Sequence, residues 1–304
     1  MKKRLVTIVG PTGVGKTSLA LKLGLEFSGE IVSADSRQIY RGMDIGTAKS
    51  SDEDMAKVPH HLIDIVEPND AFSLAQYQSL AYKSIEDILA RKRLPILVGG
   101  SGQYVWAVLE GWSIPKVTPN NWYREELEKR LLSGESEELF QELKQMNPEL
   151  ASRVDKRNPR RLIRAMEISK FSDHRTARSK NPPDYSILII GLTCPRHSLY
   201  KRIDLRVEQM ISAGLESEVR ELRAKNYADN SPSMSGIGYR QMISYIKGDI
   251  NLVECVNQIK FESHRLARQQ YNWFGLGKSE ISWFDVDTDY YQSAKSLVNS
   301  FIKE

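Results

Sequence analysis

The chain has 304 residues, 40% of them hydrophobic and 27% charged, with a formal net charge of +4. That composition suits about two globular domains and excludes a disordered or fibrous chain. Two distant cysteines, Cys194 and Cys255, exclude a disulfide framework, and no apolar run approaches the roughly 18 residues of a membrane span. A reducing cytoplasm is the expected home, and the mild positive charge permits a nucleic-acid partner without requiring one.

Leu5-Val6-Thr7-Ile8-Val9 is an apolar, β-branched run and reads as a buried strand. It leads into Gly10-Pro11-Thr12-Gly13-Val14-Gly15-Lys16-Thr17, a full match to G-x-x-x-x-G-K-S/T. A run with Leu19, Leu23 and Phe27 at helical spacing follows. Strand, loop and helix in that order are the context the motif requires. Its glycines let the backbone wrap an anion, and its N–H groups and helix N-terminus point positive ends at it. Lys16 adds a full charge and Thr17 offers a hydroxyl to Mg²⁺. The loop is predicted to bind a di- or triphosphate, whichever molecule carries it.

Glu30-Ile31-Val32-Ser33-Ala34-Asp35-Ser36 reads as a second strand ending in polar groups, where open α/β sheets present their chemistry. A glycine-punctuated loop follows. His60-His61-Leu62-Ile63-Asp64-Ile65-Val66 is predicted as a third strand, and residues 73–91 as a helix with Leu74, Tyr77, Ala81, Ile85, Ile88 and Leu89 at helix-period apolar positions. Leu94-Pro95-Ile96-Leu97-Val98-Gly99-Gly100 is another buried strand, with a helix opening at Ser101. Such alternation predicts a P-loop NTPase-like, doubly wound parallel sheet. Residues 118–184 read as helices only, rich in Arg and Lys, before Tyr185-Ser186-Ile187-Leu188-Ile189-Ile190-Gly191-Leu192 resumes a strand. The expected organisation is an α/β core over 1–117 and 185–304, with a helical C-terminal part, interrupted by an all-helical insertion. Residues 249–275 form the longest predicted helix, and the stretch after Trp273 carries no motif.

A P-loop kinase or hydrolase normally closes an apolar strand with a carboxylate that helps hold the metal. The strand ending at Val98 gives Gly99-Gly100-Ser101 instead, whereas the strand ending at Ala34 supplies Asp35. Beside a phosphate loop Asp35 can act as a base, as a metal ligand, or only as a helix cap. His60, His61 and His264 have no third ligand at zinc spacing and are read as structural. The residues alone leave open an ATP-dependent kinase of a nucleotide or small metabolite, with the insertion as a lid. They also leave open an RNA-binding module whose loop holds a regulatory nucleotide.

Seven runs, in order and within a match that extends from residue 3 to about residue 273, resemble the bacterial tRNA dimethylallyltransferases. They are residues 10–17, 33–40 (Ser33-Ala34-Asp35-Ser36-Arg37-Gln38-Ile39-Tyr40), 46–49, 60–64, 98–104, 158–165 and 236–241. The resemblance implies transfer of a dimethylallyl group from its diphosphate to the exocyclic amine of the adenosine 3′ to the tRNA anticodon. It implies Asp35 as base with the Ser101 hydroxyl beside it, where many relatives carry Thr, and Mg²⁺ as cofactor near Thr17. Gly10 to Thr17 and Arg220 would hold the diphosphate. Asp35, Ser36, Arg37, Gln38 and Ser101 would meet the tRNA at the reacting base. Arg124, the stripe Arg160-Arg161-Leu162-Ile163-Arg164, Tyr239-Arg240-Gln241, and the helical run His264-Arg265-Leu266-Ala267-Arg268-Gln269-Gln270-Tyr271 would cradle the anticodon stem-loop. Tyr40 is a candidate to stack on a flipped adenine or to sit in the core. A monomer is expected.

Overall fold

The computed structural model describes residues 3–115, 117–172 and 179–304. Arg175 and Arg178, part of the basic stretch expected to be helical, lie outside them. The first apolar run forms β1 (Arg4–Val9) and, past the glycine loop, α1 (Lys16–Glu26). β2 (Gly29–Ser33), α2 (Asp52–Lys57), β3 (His60–His61), α3 (Leu74–Ala90), β4 (Leu94–Gly99) and α4 (Gly102–Leu109) follow. Ser73 and Gln76 close a reciprocal capping box that starts α3 at the expected residue.

Residues then divide into two compact units, Met1–Glu110 with Pro182–Glu304, and Gly111–Asn181. The second unit holds α5 (Asn121–Leu132), α6 (Ser136–Met146), α7 (Pro148–Ala151) and α8 (Pro159–Phe171). Asn120, Asn147 and Asn158 cap three of these helices through their side-chain oxygens. Tyr123, Leu127, Leu139, Leu143, Leu162 and Met166 form a core of its own.

Back in the first unit come β5 (Ser186–Thr193), α9 (Arg196–Ser212), α10 (Leu215–Ala224), α11 (Tyr239–Lys247), α12 (Leu252–Phe274), β6 (Ile281–Asp285) and α13 (Tyr291–Lys303). The sheet runs β3-β2-β4-β1-β5-β6 with every neighbouring pair parallel, giving the P-loop NTPase-like α/β fold. Register matters for function. Val9 pairs with Gly99 and Ser33 with Val98, so the carboxyl ends of β1, β4 and β2 stop level with one another. The glycine loop, the Gly99-Gly100 turn and Asp35 are thereby placed side by side, the position an open α/β sheet reserves for ligands.

One local expectation is corrected, and one stretch without an assignment is filled. The third strand is broken: it pairs with β2 at His60 and His61, then Leu62 and Asp64 take positive φ (65° and 54°) and turn the chain away, and Val66 makes a lone parallel bridge with Tyr40. The stretch after Trp273 contains β6, a short edge strand paired with β5, and α13, whose Ala294 and Val298 are fully buried.

Candidate active site

A cleft of about 670 Å³, open to solvent, lies over those three strand ends, bordered by Thr12, Lys16, Thr17, Asp35, Gln38 and Arg206 among others. Gly15 sits at the N-cap of α1 with φ 99°, a Cβ there would meet nothing within 4 Å, and no side chain caps the first turn's N–H groups. The Lys16 ammonium arches back over its own loop to the Pro11 carbonyl at 2.7 Å. Burial pushes its pKa down to about 8, opposed by the Asp35 carboxylate and assisted by the Arg206 guanidinium. Arg206 comes from α9, and its pKa is also lowered by burial and raised by Asp35. One carboxylate therefore stands among two crowded cations, and the cleft is short of negative charge.

Asp35 does two jobs. Its Oδ1 accepts from the Arg37 amide at 2.8 Å, which pins the turn after β2, while the carboxylate borders the cleft. Ser101 supports the same turn: its Oγ accepts from the Ser36 amide at 3.1 Å and donates to Ser36 Oγ at 3.3 Å. Gly99 allows β2 and β4 to close here, since a Cβ would lie 2.1 Å from the Ala34 carbonyl oxygen. A carboxylate of the kind that ends this strand in phosphoryl-transfer enzymes has no room. Gln270, from α12, ties the loops together by accepting from the Thr12 amide (2.7 Å) and donating to the Gly100 carbonyl (3.0 Å).

The sequence profile of the IPP transferase family matches residues 38–277. The chain is 50% identical to the tRNA dimethylallyltransferase of Roseiflexus castenholzii, covering 97% of each chain. It is 46% identical to that of Dehalococcoides mccartyi over 99% of this chain and 93% of the other. Its fold matches the crystal structure of a full-length tRNA isopentenylpyrophosphate transferase from Bacillus halodurans with a TM-score of 0.74, 40% identity, and coverage of 99% and 97%. The chain belongs to the IPP transferase family.

In this family member the structure sorts the residues singled out from sequence. Lys16, Thr17, Asp35 and Gln38 border the cleft, and Thr12 joins them. Gln38 donates to the Thr47 and Ala48 carbonyls, both at 3.3 Å. Arg37 instead reaches the Pro232 and Ser233 carbonyls. Pro11 and Val14 are buried, so they shape the loop and leave contact to its backbone.

Several expectations are corrected. Arg220 pairs with Glu216 one helical turn away (2.8 Å) and is not among the residues bordering the cleft, whereas Arg206 is. Leu162 and Ile163 are buried in the helical unit's core, so no ligand meets their side chains. Arg124 and Arg164 are both drawn onto Glu167, Arg124 through two bonds of 2.7 Å and Arg164 at 3.1 Å. Arg160 and Arg161 are exposed. Tyr239 is buried and donates to Glu218 at 2.7 Å, while buried Gln241 accepts from the Gly238 amide to cap its own helix. Of that run only Arg240 is exposed. Tyr40 sits in the core.

Arg206 and Gln270 were not singled out as donor-site groups. For Arg206 a signal existed. It sits seven residues after Leu199 and three after Ile203, on the stripe that α9 buries. A charged residue on such a stripe needs a partner or a ligand.

Proposed function

We infer that this chain transfers a dimethylallyl group from dimethylallyl diphosphate to the exocyclic amine of the adenosine 3′ to a tRNA anticodon, releasing diphosphate. One observation carries the reading: a phosphate loop shares its cleft with a carboxylate at the end of β2, while the strand end that serves phosphoryl transfer is closed by glycine packing. The loop's N–H groups, Lys16 and Arg206 hold the diphosphate and take up charge as the allylic C–O bond breaks. The adenine nitrogen's lone pair forms the new C–N bond, and its proton passes to Asp35. Lys16 and Arg206 balance both the departing diphosphate and the Asp35 carboxylate. Ser101 keeps the Asp35 turn in place through Ser36.

The residues fit Mg²⁺. Among the described residues no cluster of three or more His, Cys, Asp or Glu forms a cage, but Thr17 and Asp35 border the cleft. A Mg²⁺ that draws its other ligands from phosphate oxygens and water needs no more. When bound it would neutralise charge on the leaving group.

The test is incubation with unmodified tRNA, Mg²⁺ and dimethylallyl diphosphate, followed by mass spectrometry of the nucleosides. An adenosine heavier by the five-carbon group is expected. Asp35→Ala should bind tRNA normally and lose about 10²-fold or more in turnover, the scale of general-base removal. ATP consumption in step with product, with no adduct on RNA, overturns the reading.

A further inference from the structure

A second concave site lies outside the cleft, in the first unit, between the start of α11 and the middle of α12. It is an open groove of about 1200 Å³ lined by Arg240 from one helix and by Asn257, Gln258, Phe261, Glu262 and Arg265 from the other. Residues 257, 258, 261, 262 and 265 recur at i, i+3 and i+4, so they share one face of α12. The Phe261 ring is 61% exposed, an expensive way to leave a large aromatic unless something covers it. Two guanidiniums line the groove with it, and among the described residues both pair with a single carboxylate: Glu262 sits 3.2 Å from Arg240 and 3.8 Å from Arg265. The groove thus keeps an uncompensated positive charge beside a bare π face. Asn257 and Gln258, both exposed, bring carboxamides that donate and accept together.

We propose that this groove is a nucleobase subsite: a nucleotide of the substrate RNA near the target adenosine stacks on Phe261. Its edge is read by Asn257 and Gln258, and its phosphates lie against Arg240 and Arg265. The proposal rests on the RNA-modifying function inferred above. An aromatic face, arginines and carboxamides are what recognition of an unstacked base requires. Leu266 and Gln270, further along α12, border the reaction cleft. Phe261 is about 7–8 Å along the helix axis from Leu266 and about 140° around it, so an RNA loop that curves past α12 would meet both faces. One helix would set the distance between the reacting adenine and a neighbouring base.

Phe261 is a surface side chain, so its removal should leave the fold intact. With an anticodon stem-loop as substrate, Phe261→Ala should raise the KM for RNA roughly tenfold, the scale of one lost base stack. The KM for dimethylallyl diphosphate and kcat at saturating RNA should stay unchanged, and Phe261→Trp should restore the RNA KM. Stem-loops carrying one abasic nucleotide at each loop position in turn locate the base. The wild type should be weakened at one position, and Phe261→Ala should be indifferent to that same change. An unchanged RNA KM in Phe261→Ala, or equal sensitivity of both proteins at every position, overturns the proposal. Fluorescence anisotropy with the same RNAs reads binding without turnover. RNA binding that depends on Phe261 without prenyl transfer would therefore condemn the reaction and leave the groove standing.

Discussion

The cleft of the α/β unit and the core edge of the helical unit both gather arginine around one carboxylate, and they use it in opposite ways. In the helical unit Glu167 is fully buried and receives Arg124, Arg164 and the Asn120 amide. Burial works against its charge, yet these donors hold its pKa below the ordinary glutamate range. Every strong bond there is spent inside the fold. In the cleft, Asp35 faces Lys16 and Arg206, cations that burial has made less willing to stay charged. Their contacts are with backbone carbonyls and a hydroxyl: Pro11 for Lys16, and Thr12 Oγ1 and the Thr47 carbonyl, both at 3.4 Å, for Arg206. A satisfied carboxylate makes a structural knot, whereas surplus cation makes an anion site.

The largest effect separating the two should come from Glu167→Ala. It strands two guanidiniums and empties a buried position, which costs about 3 kcal/mol, the low end for a broken buried pair. The low end applies because Arg124 and Arg164 are each 35% exposed and can turn to water. Hydrogen exchange read by mass spectrometry should show protection lost over residues 120–171 and kept in the sheet. Equal loss in both units would mean that Glu167 does not serve the helical unit alone.

Next comes Arg206→Ala, expected to lower kcat/KM for the allylic donor by about 10²-fold, as removal of one group that stabilises a departing anion does. Arg220→Ala should stay within about twofold, because its partner is Glu216 on its own helix and exposed pairs of this spacing contribute little. Comparable losses in the two variants would restore Arg220 to the donor site and weaken the assignment of Arg206.

These contrasts show what the sequence made legible. Phosphate loop, β1, β2, β4 and the Asp35 position could be read because each is local: an apolar run, a spacing of glycines, a strand end. The absence of a carboxylate after Val98 was equally local, and the Gly99 contact with the Ala34 carbonyl explains it. What escaped is long-range. Arg206 reaches Thr12 across 194 residues and Gln270 reaches the same residue across 258, and no periodicity reports such pairings. Basic residues in α8 misled for the same reason. A count of arginines says nothing about Glu167, which lies on the same helix, three residues after Arg164, and is fully buried. β6 was missed because five residues pairing along a single edge give too short an alternation to separate from a turn.

The smallest effect is also the most direct probe of the surplus charge. With a pKa of about 8 in the ligand-free protein, Lys16 is charged below that pH and neutral above it. The diphosphate prefers the charged form, so kcat/KM for the donor should hold from pH 6.5 to 7.5 and fall about tenfold per pH unit beyond 8. Once the phosphates are bound, their charge favours the ammonium and moves its titration upward, so kcat should change less over the same range. Lys16→Arg separates this from any other alkaline titration. A guanidinium stays protonated, so the break near pH 8 should disappear even if overall activity is lower. A break that survives in Lys16→Arg would assign it to a different group and leave Arg206 as the principal cation facing the donor.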